Sequence, residues 1–150
     1  MSNQIKIKNK KASREYFLVE RFVCGIQLTG TEIKSIRDGK ASLVDSYCAF
    51  EKHELFVKGL HIAEYRFGTH YNHLPKRDRK LLMTKRELRK LLTKVTEKGF
   101  TIIPVTLFIN EKGLAKLEIS LAKGKHFYDN RETLKTNDIK REIERSSRGY

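Results

Sequence analysis

Short apolar segments separated by turn residues recur along most of the chain and favour a small β-barrel. In residues 114–122 the apolar side chains alternate with Lys116, Glu118 and Ser120, which is the period of a half-buried strand. Residues 16–23 and 100–109 are apolar runs of strand length. Pro104 cannot donate to a ladder, so its strand is predicted to lie at an edge or to be bulged there.

Two further segments predict a hairpin. Residues 41–50 and 55–60 read as strands, joined by a polar four-residue turn at 51–54. About five short antiparallel strands in one ordinary domain favour a mostly β fold with helices. We predict a small antiparallel barrel of oligonucleotide-binding type, with five to six strands and two to three flanking helices.

Two segments carry helix signals. Thr84 and Glu87 form a capping box, the apolar stripe from Leu88 to Val95 has helical spacing, and Gly99 ends the pattern. A shorter helix is predicted after Thr31 as its cap, with Gly39 at its end.

Three segments lack a clear core pattern. Residues 1–11 are polar and lysine-rich and are predicted to be an unpacked basic arm. Residues 61–80 are predicted to be a long loop, a class that is usually functional or disordered. Residues 129–150 hold few core-grade side chains and are predicted to be a basic tail, disordered when free and helical on a partner. The barrel domain is therefore predicted to span residues 12–128.

The positive charge is clustered. The 150 residues carry a formal net charge of +14, with 32 Lys and Arg against 18 Asp and Glu. Residues 74–94 contribute +7, residues 1–22 contribute +4 and residues 123–150 contribute +3, while the segments between them are neutral. Clustered cations are what a phosphate backbone requires, because each contact releases condensed counterions.

Several function classes are disfavoured. There is no apolar run near the roughly 20 residues of a membrane span, and the N-terminal residues do not resemble a secretory signal. We therefore expect a cytoplasmic protein with no membrane partner. Cys24 and Cys48 form no C-x-x-C pair and are expected to be core hydrophobes. No cofactor or metal is expected.

Catalysis is also disfavoured, although two alternatives remain open. His70 and His73 lie three residues apart near Asp78 and could suggest a metal site, but no third ligand with standard spacing accompanies the two histidines. Glu32 and Asp45 could suggest a basic nuclease. The sequence has no nucleophile elbow, zinc-protease motif or phosphate-binding glycine loop, so binding is favoured over catalysis.

Residues 61–80 interleave aromatic and basic side chains, which is typical of RNA contact. Aromatic faces stack on unpaired bases, while Arg and Lys follow phosphates. A general single-stranded RNA-binding protein or RNA chaperone is therefore one candidate. The same aromatic side chains could instead cap the barrel core.

Seven segments, in order along nearly the whole chain, resemble the SsrA-binding protein family, also called small protein B. They are NKKASREY at 9–16, LTGTEIKSIRDGKASLVDSY at 28–47, LHIAEY at 60–65, NHLPKRDRKLL at 72–82, KRELRKL at 85–91, EKGFTIIP at 97–104 and LAKGKHFYDNRE at 121–132.

This resemblance implies a function. Members of that family bind the tRNA-like domain of transfer-messenger RNA and deliver it to the A site of stalled ribosomes, where trans-translation tags the nascent chain. The family protein catalyses no reaction. The implied partners are transfer-messenger RNA and the ribosome, at the small-subunit decoding centre and message channel. We expect a monomer.

The resemblance also implies site residues. The predicted RNA-binding residues are Lys11, Glu32, Lys34, Arg37, His61, Tyr65, Asn72, His73, Arg79, Lys80, Lys85, Lys123 and Lys125. The predicted ribosome-contacting tail residues are Tyr128, Asp129, Arg131, Lys135, Lys140, Arg141 and Arg145. The family's usual His-Asp-Lys-Arg stands here as Tyr128-Asp129-Asn130-Arg131, so an imidazole and one positive charge are replaced.

Overall fold

The computed structural model describes residues 5–68 and 72–125, which contain nine strands and three helices. The predicted tail 129–150 lies outside the described residues, as do residues 1–4 of the predicted arm. The elements, in chain order, are β1 (Lys6–Lys8), α1 (Ala12–Glu15), β2 (Tyr16–Ile26), α2 (Gly30–Arg37), β3 (Ala41–Ser42), β4 (Tyr47–Glu51), β5 (Glu54–Lys58), β6 (His61–Ile62), β7 (Arg79–Leu82), α3 (Lys85–Lys98), β8 (Thr101–Ile109) and β9 (Ala115–Gly124).

Six strands close into a barrel. They follow the order β8, β4, β5, β7, β2 and β9, and β9 pairs back with β8. Every pairing is antiparallel. The longest ladders join β9 to β2 and to β8, whereas β4 meets β8 at a single residue pair, Cys48 and Ile102. The predicted mostly β barrel with flanking helices is confirmed.

The core fills the barrel interior and extends under two helices. The alternation in β9 places Leu117 and Ile119 inside, where both are fully buried. Ile36 of α2 and Leu91 of α3 belong to the same apolar cluster. Cys24 and Cys48 are free and buried in that cluster, as predicted, and burial raises the pKa of the Cys24 thiol to about 12.

The helix ends follow from local chemistry. Thr84 and Glu87 form the predicted capping box, and Gly99 ends α3 in the left-handed region with φ of 74°. The predicted cap of α2 was wrong: Thr29, not Thr31, is the N-cap, and it forms a capping box with Glu32. The earlier cap turns the Glu32 carboxylate back toward the backbone.

The predicted hairpin forms with different bounds. The segment 41–50 divides into β3 and β4 at a turn in which Asp45 has φ of 63°. The hairpin between β4 and β5 turns on two residues rather than four. Lys52 and His53 both have positive φ, which is the conformation of a tight turn matched to strand twist. The predicted bulge at Pro104 is confirmed by the register shift between Pro104 and Thr106.

The N-terminal residues are packed rather than free. Residues 6–8 form β1, which pairs with β8 outside the barrel, with Ile7 opposite Leu107. Ile5 and Ile7 pack against the core, while Lys6 and Lys8 are exposed. The unpacked arm predicted for residues 1–11 was therefore wrong for this segment, because two alternating isoleucines supply an apolar face that the lysine-rich composition conceals.

Replacing Ile7 with Ser should therefore destabilise the protein. Loss of its partly buried side chain should lower the free energy of unfolding by about 1–2 kcal/mol. Urea unfolding measures the change, and Lys8→Ser is the matched control because Lys8 is the exposed neighbour on the same strand. Equal effects of the two substitutions would contradict the docking of β1.

Candidate RNA interface

A buried carboxylate joins α2 to the segment that leads into β7. Glu32 and Arg79 are both 0% exposed, and Arg79 Nε donates to Glu32 Oε2 over 2.7 Å. Arg77 donates to both carboxylate oxygens, Nε to Oε2 and Nη2 to Oε1, each over 2.8 Å. The backbone N–H of Thr29 donates to Oε1 over 2.8 Å. The carboxylate thus pairs with two guanidinium groups, offsetting one of their two positive charges, while it caps its own helix.

The rest of the Arg79 guanidinium fixes nearby backbone. Its Nη1 donates to the carbonyl oxygens of Leu60 and Arg77 over 2.7 and 3.0 Å. Its Nη2 donates to those of Pro75 and Leu74 over 3.1 and 3.4 Å. A buried arginine is tolerated only when its donors are satisfied, so the backbone of residues 74–77 is held by this side chain.

The pKa of the Glu32 carboxyl is lowered from its ordinary value of 4.5. Burial acts in the opposite direction, but it is outweighed by hydrogen bonds from Arg77 and Thr29 and by the charge and hydrogen bond of Arg79. Burial lowers the pKa of Arg79, and Glu32 opposes that change. The Glu32 carboxyl is therefore ionised at neutral pH, and the Arg79 guanidinium keeps its proton, as arginine does throughout proteins.

A second set of hydrogen bonds shapes the segment between β6 and β7. His73 is buried, and its Nε2 lies 2.9 Å from the carbonyl oxygen of Ile62. Because a carbonyl only accepts, Nε2 carries the proton, and in the neutral ring Nδ1 accepts from Thr31 Oγ1 at 2.8 Å. Ser35 of α2 donates to the carbonyl oxygen of Ala63 over 2.7 Å. Residues 61–63 and His73 are thereby fastened to α2.

The Asn72 side chain is hydrogen-bonded to the backbone of Tyr65, seven residues earlier. Its Nδ2 donates to the carbonyl oxygen of Tyr65 over 2.8 Å, and its Oδ1 accepts from the Tyr65 N–H over 3.1 Å. A Cβ at Gly68 would lie 2.3 Å from Asn72 Nδ2, so a larger residue there would displace the Asn72 side chain. This arrangement defines the placement of Tyr65.

Aromatic and cationic side chains lie together on the outside of this framework. Lys34 Nζ is 5.6 Å from the Tyr65 ring centroid, and the Tyr65 and Phe67 rings meet edge to face at 5.6 Å. The guanidinium of Arg66 is 4.7 Å from the Phe67 ring, and Phe67 is 68% exposed. We call Lys34, Tyr65, Arg66 and Phe67 the α2 surface. Cations beside exposed aromatic faces are suited to phosphates and unstacked bases.

The remaining predicted residues occupy several positions. His61 is half-buried in β6 opposite Ser42. Arg37 is exposed and its Nη2 reaches the carbonyl oxygen of Gly113 at 3.4 Å. Lys80 pairs with Glu54 at 3.0 Å, and with Lys85 it lines a cavity of about 470 Å³ beside α3.

Three predicted lysines lie near α1 and β9: Lys11 precedes α1, Lys123 is in β9 and Lys125 follows β9. Lys123 Nζ is 5.1 Å from the Phe100 ring. Lys125 Nζ is 4.9 Å from the Phe17 ring and donates to the carbonyl oxygen of Ser13 over 2.9 Å. Lys11 lies 3.8 Å from Asp45. Because Phe17 is opposite Lys123 in the sheet, these aromatic and basic side chains form a further mixed patch.

The structure corrects three of the predicted RNA contacts. Glu32 and Arg79 have no exposed surface and His73 is buried, so their side chains hold the framework instead of meeting RNA. Sequence reasoning also missed Arg77, the third member of the ion-pair cluster. The sequence signal for a buried Glu32 was Thr29, three residues before it. This capping-box spacing turns the carboxylate inward.

The two catalytic alternatives receive no support from the described residues. His70 lies outside them, and both ring nitrogens of His73 are occupied by Thr31 and Ile62. No group of three or more His, Cys, Asp or Glu side chains suited to a metal occurs within residues 5–68 and 72–125. Glu32 is committed to two arginines, while Asp45 is exposed beside Lys11, so they do not form a pair.

The tail residues predicted to contact the ribosome lie outside the described residues. Among the helices within those residues, none has the length and apolarity that crossing a membrane requires.

Comparisons with known proteins identify the family. The family model described as SmpB protein matches residues 6–149. The chain belongs to the SmpB family. It is 60% identical over 141 residues to the SsrA-binding protein of Phocaeicola vulgatus, covering 94% of each chain. It is 54% identical over 150 residues to that of Christiangramia forsetii, covering 100% of this chain and 96% of the relative.

More distant matches agree. The chain is 46% identical to the SsrA-binding protein of Moorella thermoacetica, covering 99% of this chain and 97% of the relative. Its fold matches a chain in the solved structure called "tmRNA-SmpB: a journey to the center of the bacterial ribosome", with a TM-score of 0.69 and 43% identity, covering 81% of this chain and 85% of that one. The predicted family is confirmed.

Replacing Glu32 with Gln should destabilise this SmpB family member strongly. It leaves the buried Arg79 guanidinium without a counter-charge, which should lower the free energy of unfolding by about 3–5 kcal/mol. Glu64→Gln is the matched control, because Glu64 is exposed on the adjoining segment. Urea unfolding at neutral pH measures both; a Glu32→Gln loss no larger than the control's would contradict a structural ion pair.

The same carboxyl should make stability depend on pH. Since its folded pKa is below 4.5, its contribution is complete above that pH and is lost as pH falls through the lowered pKa. Stability measured between about pH 3 and pH 6 should therefore fall less steeply with acid in Glu32→Gln than in the wild type. Parallel pH profiles would show that Glu32 is not the group that titrates.

Proposed function

We propose that this chain binds the SsrA RNA, that is transfer-messenger RNA, through the RNA's tRNA-like domain and acts with it on the bacterial ribosome in trans-translation. The observation that carries the proposal is the family match over residues 6–149, together with relatives that share half or more of their residues across nearly the whole chain. The solved tmRNA-SmpB chain of the same fold supports it.

The charge distribution supports RNA as the partner. The net charge is +14, and the described cations of the clustered segments are exposed or half-buried, except for the buried Arg79. A folded RNA presents phosphates on several sides, so several basic patches on one rigid barrel are favourable. The α2 surface supplies stacking faces beside its cations, which fits unpaired bases in an RNA loop.

We assign different roles to the predicted residues. Lys34, Tyr65, Lys80, Lys85, Lys123 and Lys125 are proposed to meet RNA or ribosome, whereas Glu32, His73, Arg77 and Arg79 position the α2 surface. Asn72 fixes the turn that carries Tyr65. Lys11, Arg37 and His61 remain proposed RNA contacts.

The proposed activity is delivery rather than chemistry. The chain escorts transfer-messenger RNA into the A site of a stalled ribosome, and the tagging reaction belongs to the ribosome and the RNA. We place this activity in the cytoplasm, where ribosomes work. The basic segment 129–150 is proposed to contact the small-subunit decoding centre and message channel.

Lys34→Gln should weaken binding to a tRNA-like RNA. Loss of one phosphate contact should reduce the slope of log affinity against log salt by about 1 and lower affinity about five- to tenfold at low salt. Lys112→Gln is the control, since Lys112 is an exposed lysine in the turn between β8 and β9. Fluorescence anisotropy over a salt series measures both; indistinguishable variants would remove Lys34 from the interface.

A preference for folded RNA separates the proposal from its alternative, a general single-stranded RNA-binding protein. The exposed Phe67 ring with Arg66 against it is the observation that favours the alternative. Wild-type protein should bind the tRNA-like RNA much more tightly than an unstructured RNA of equal length. Equal affinities would favour the alternative.

Deleting residues 129–150 should separate RNA binding from rescue. The truncated protein should keep most of its affinity for the tRNA-like RNA but fail to support tagging of nascent chains on ribosomes stalled at the end of a message. A reconstituted translation reaction measures the tagging. A large loss of RNA affinity on truncation would contradict this division.

A further inference from the structure

A basic groove lies on the outer wall of the barrel, on elements that the α2 surface does not use. It runs between β1 and the start of α1 on one side and β2 on the other, across β8 and β9, and has a volume of about 580 Å³. The family resemblance assigned none of its cations to RNA. We call it the β1 groove.

Four cations line the β1 groove: Lys6, Lys8, Lys10 and Arg21. All four are exposed. Arg21 lies 3.6 Å from Glu118, the only acidic residue of the lining. Among the described residues, no carboxylate lies within ion-pairing distance of Lys6, Lys8 or Lys10. The groove therefore keeps a positive charge that nothing in the described chain neutralises.

The sheet sets the spacing of these cations. Lys6 and Lys8 are two residues apart on β1, so both point away from the face on which Ile5 and Ile7 pack. Their Cα atoms are thus separated by about 6.6–6.8 Å, and Lys10 follows at the turn into α1. Regularly spaced ammonium groups along one edge of a groove can follow successive phosphates of an extended strand.

The floor of the groove is only partly apolar, because Glu118 lies between Val23 of β2 and Thr106 of β8. Val23 is 55% exposed, and Phe108, which lies opposite Lys6, also lines the groove. A duplex keeps its bases inside and would leave this floor unused. An unpaired strand can place a base against Phe108 while its phosphates meet the lysines.

We propose that the β1 groove is a second RNA-binding site, which takes a single-stranded RNA segment separate from the folded RNA bound at the α2 surface. The lysines of β1 contact its phosphates, and Phe108 receives a base. The chain can then hold a folded RNA and an unpaired strand at the same time.

The test compares two RNAs on the full chain. The probes are a single-stranded oligouridylate of about 12 nucleotides, within the site size of small barrels, and a tRNA-like RNA. The variant Lys6→Gln/Lys8→Gln/Lys10→Gln should bind the oligouridylate at least about tenfold more weakly at low salt, with a salt slope reduced by about 2. Its affinity for the tRNA-like RNA should remain within about twofold of the wild-type affinity. A small loss is expected because the variant has a lower net charge.

A charge-matched control excludes a general effect of net charge. Lys52→Gln/Lys98→Gln/Lys112→Gln removes the same charge from exposed lysines that do not line the groove. This control should keep oligouridylate affinity, and all variants should keep the wild-type unfolding midpoint. A control that loses as much affinity as the groove variant would overturn the site, as would a groove variant that loses none.

Two further readouts test the kind of RNA. Phe108→Leu should weaken oligouridylate binding several-fold without changing the salt slope, because it removes a stacking face and no charge. A duplex of the same length should bind the groove more weakly than the single strand. Tighter duplex binding, or equal loss of both probes in the triple lysine variant, would overturn the proposal. Failure of wild-type protein to prefer the tRNA-like RNA would instead count against the proposed function.

Discussion

The ion-pair cluster of Glu32 with Arg77 and Arg79 fixes the part of the molecule that carries the α2 surface. A buried carboxylate of this kind is stable only because two guanidinium groups and a backbone N–H satisfy it. Through Arg79 the same charge holds the carbonyl oxygens of Leu74, Pro75 and Arg77. One side chain at the start of α2 therefore helps to determine where residues 74–77 lie.

This constraint changes how an acidic residue in an RNA-binding protein is understood. Glu32 has no surface from which to meet RNA, and a free carboxylate would repel phosphate. The charge of Glu32 is offset inside the fold. The carboxylate therefore does not weaken the attraction of Lys34 and Arg66 for phosphates. Substitutions at Glu32 would then affect RNA binding through the position of Tyr65 and its neighbours.

Much of the fold could be predicted from the sequence, because alternation and capping are local signals. The periods in residues 114–122 and 84–98 identify β9 and α3, and Pro104 marks the bulge in β8. The pairing of β1 with β8 could not be predicted, since a three-residue strand has too few residues to show a period. The burial of Arg79 depends on partners 19 and 47 residues away, Leu60 and Glu32, which no local pattern reveals.

Hydrogen–deuterium exchange of the full chain with and without a tRNA-like RNA tests the central claim most directly, namely that the segment held by the Glu32 cluster is the RNA-facing surface. We expect RNA to slow amide exchange most in residues 63–68 and 72–78, whose backbone amides lie outside the strand ladders. Slowed exchange confined to the hairpin of β4 and β5, with unchanged exchange between β6 and β7, would contradict it.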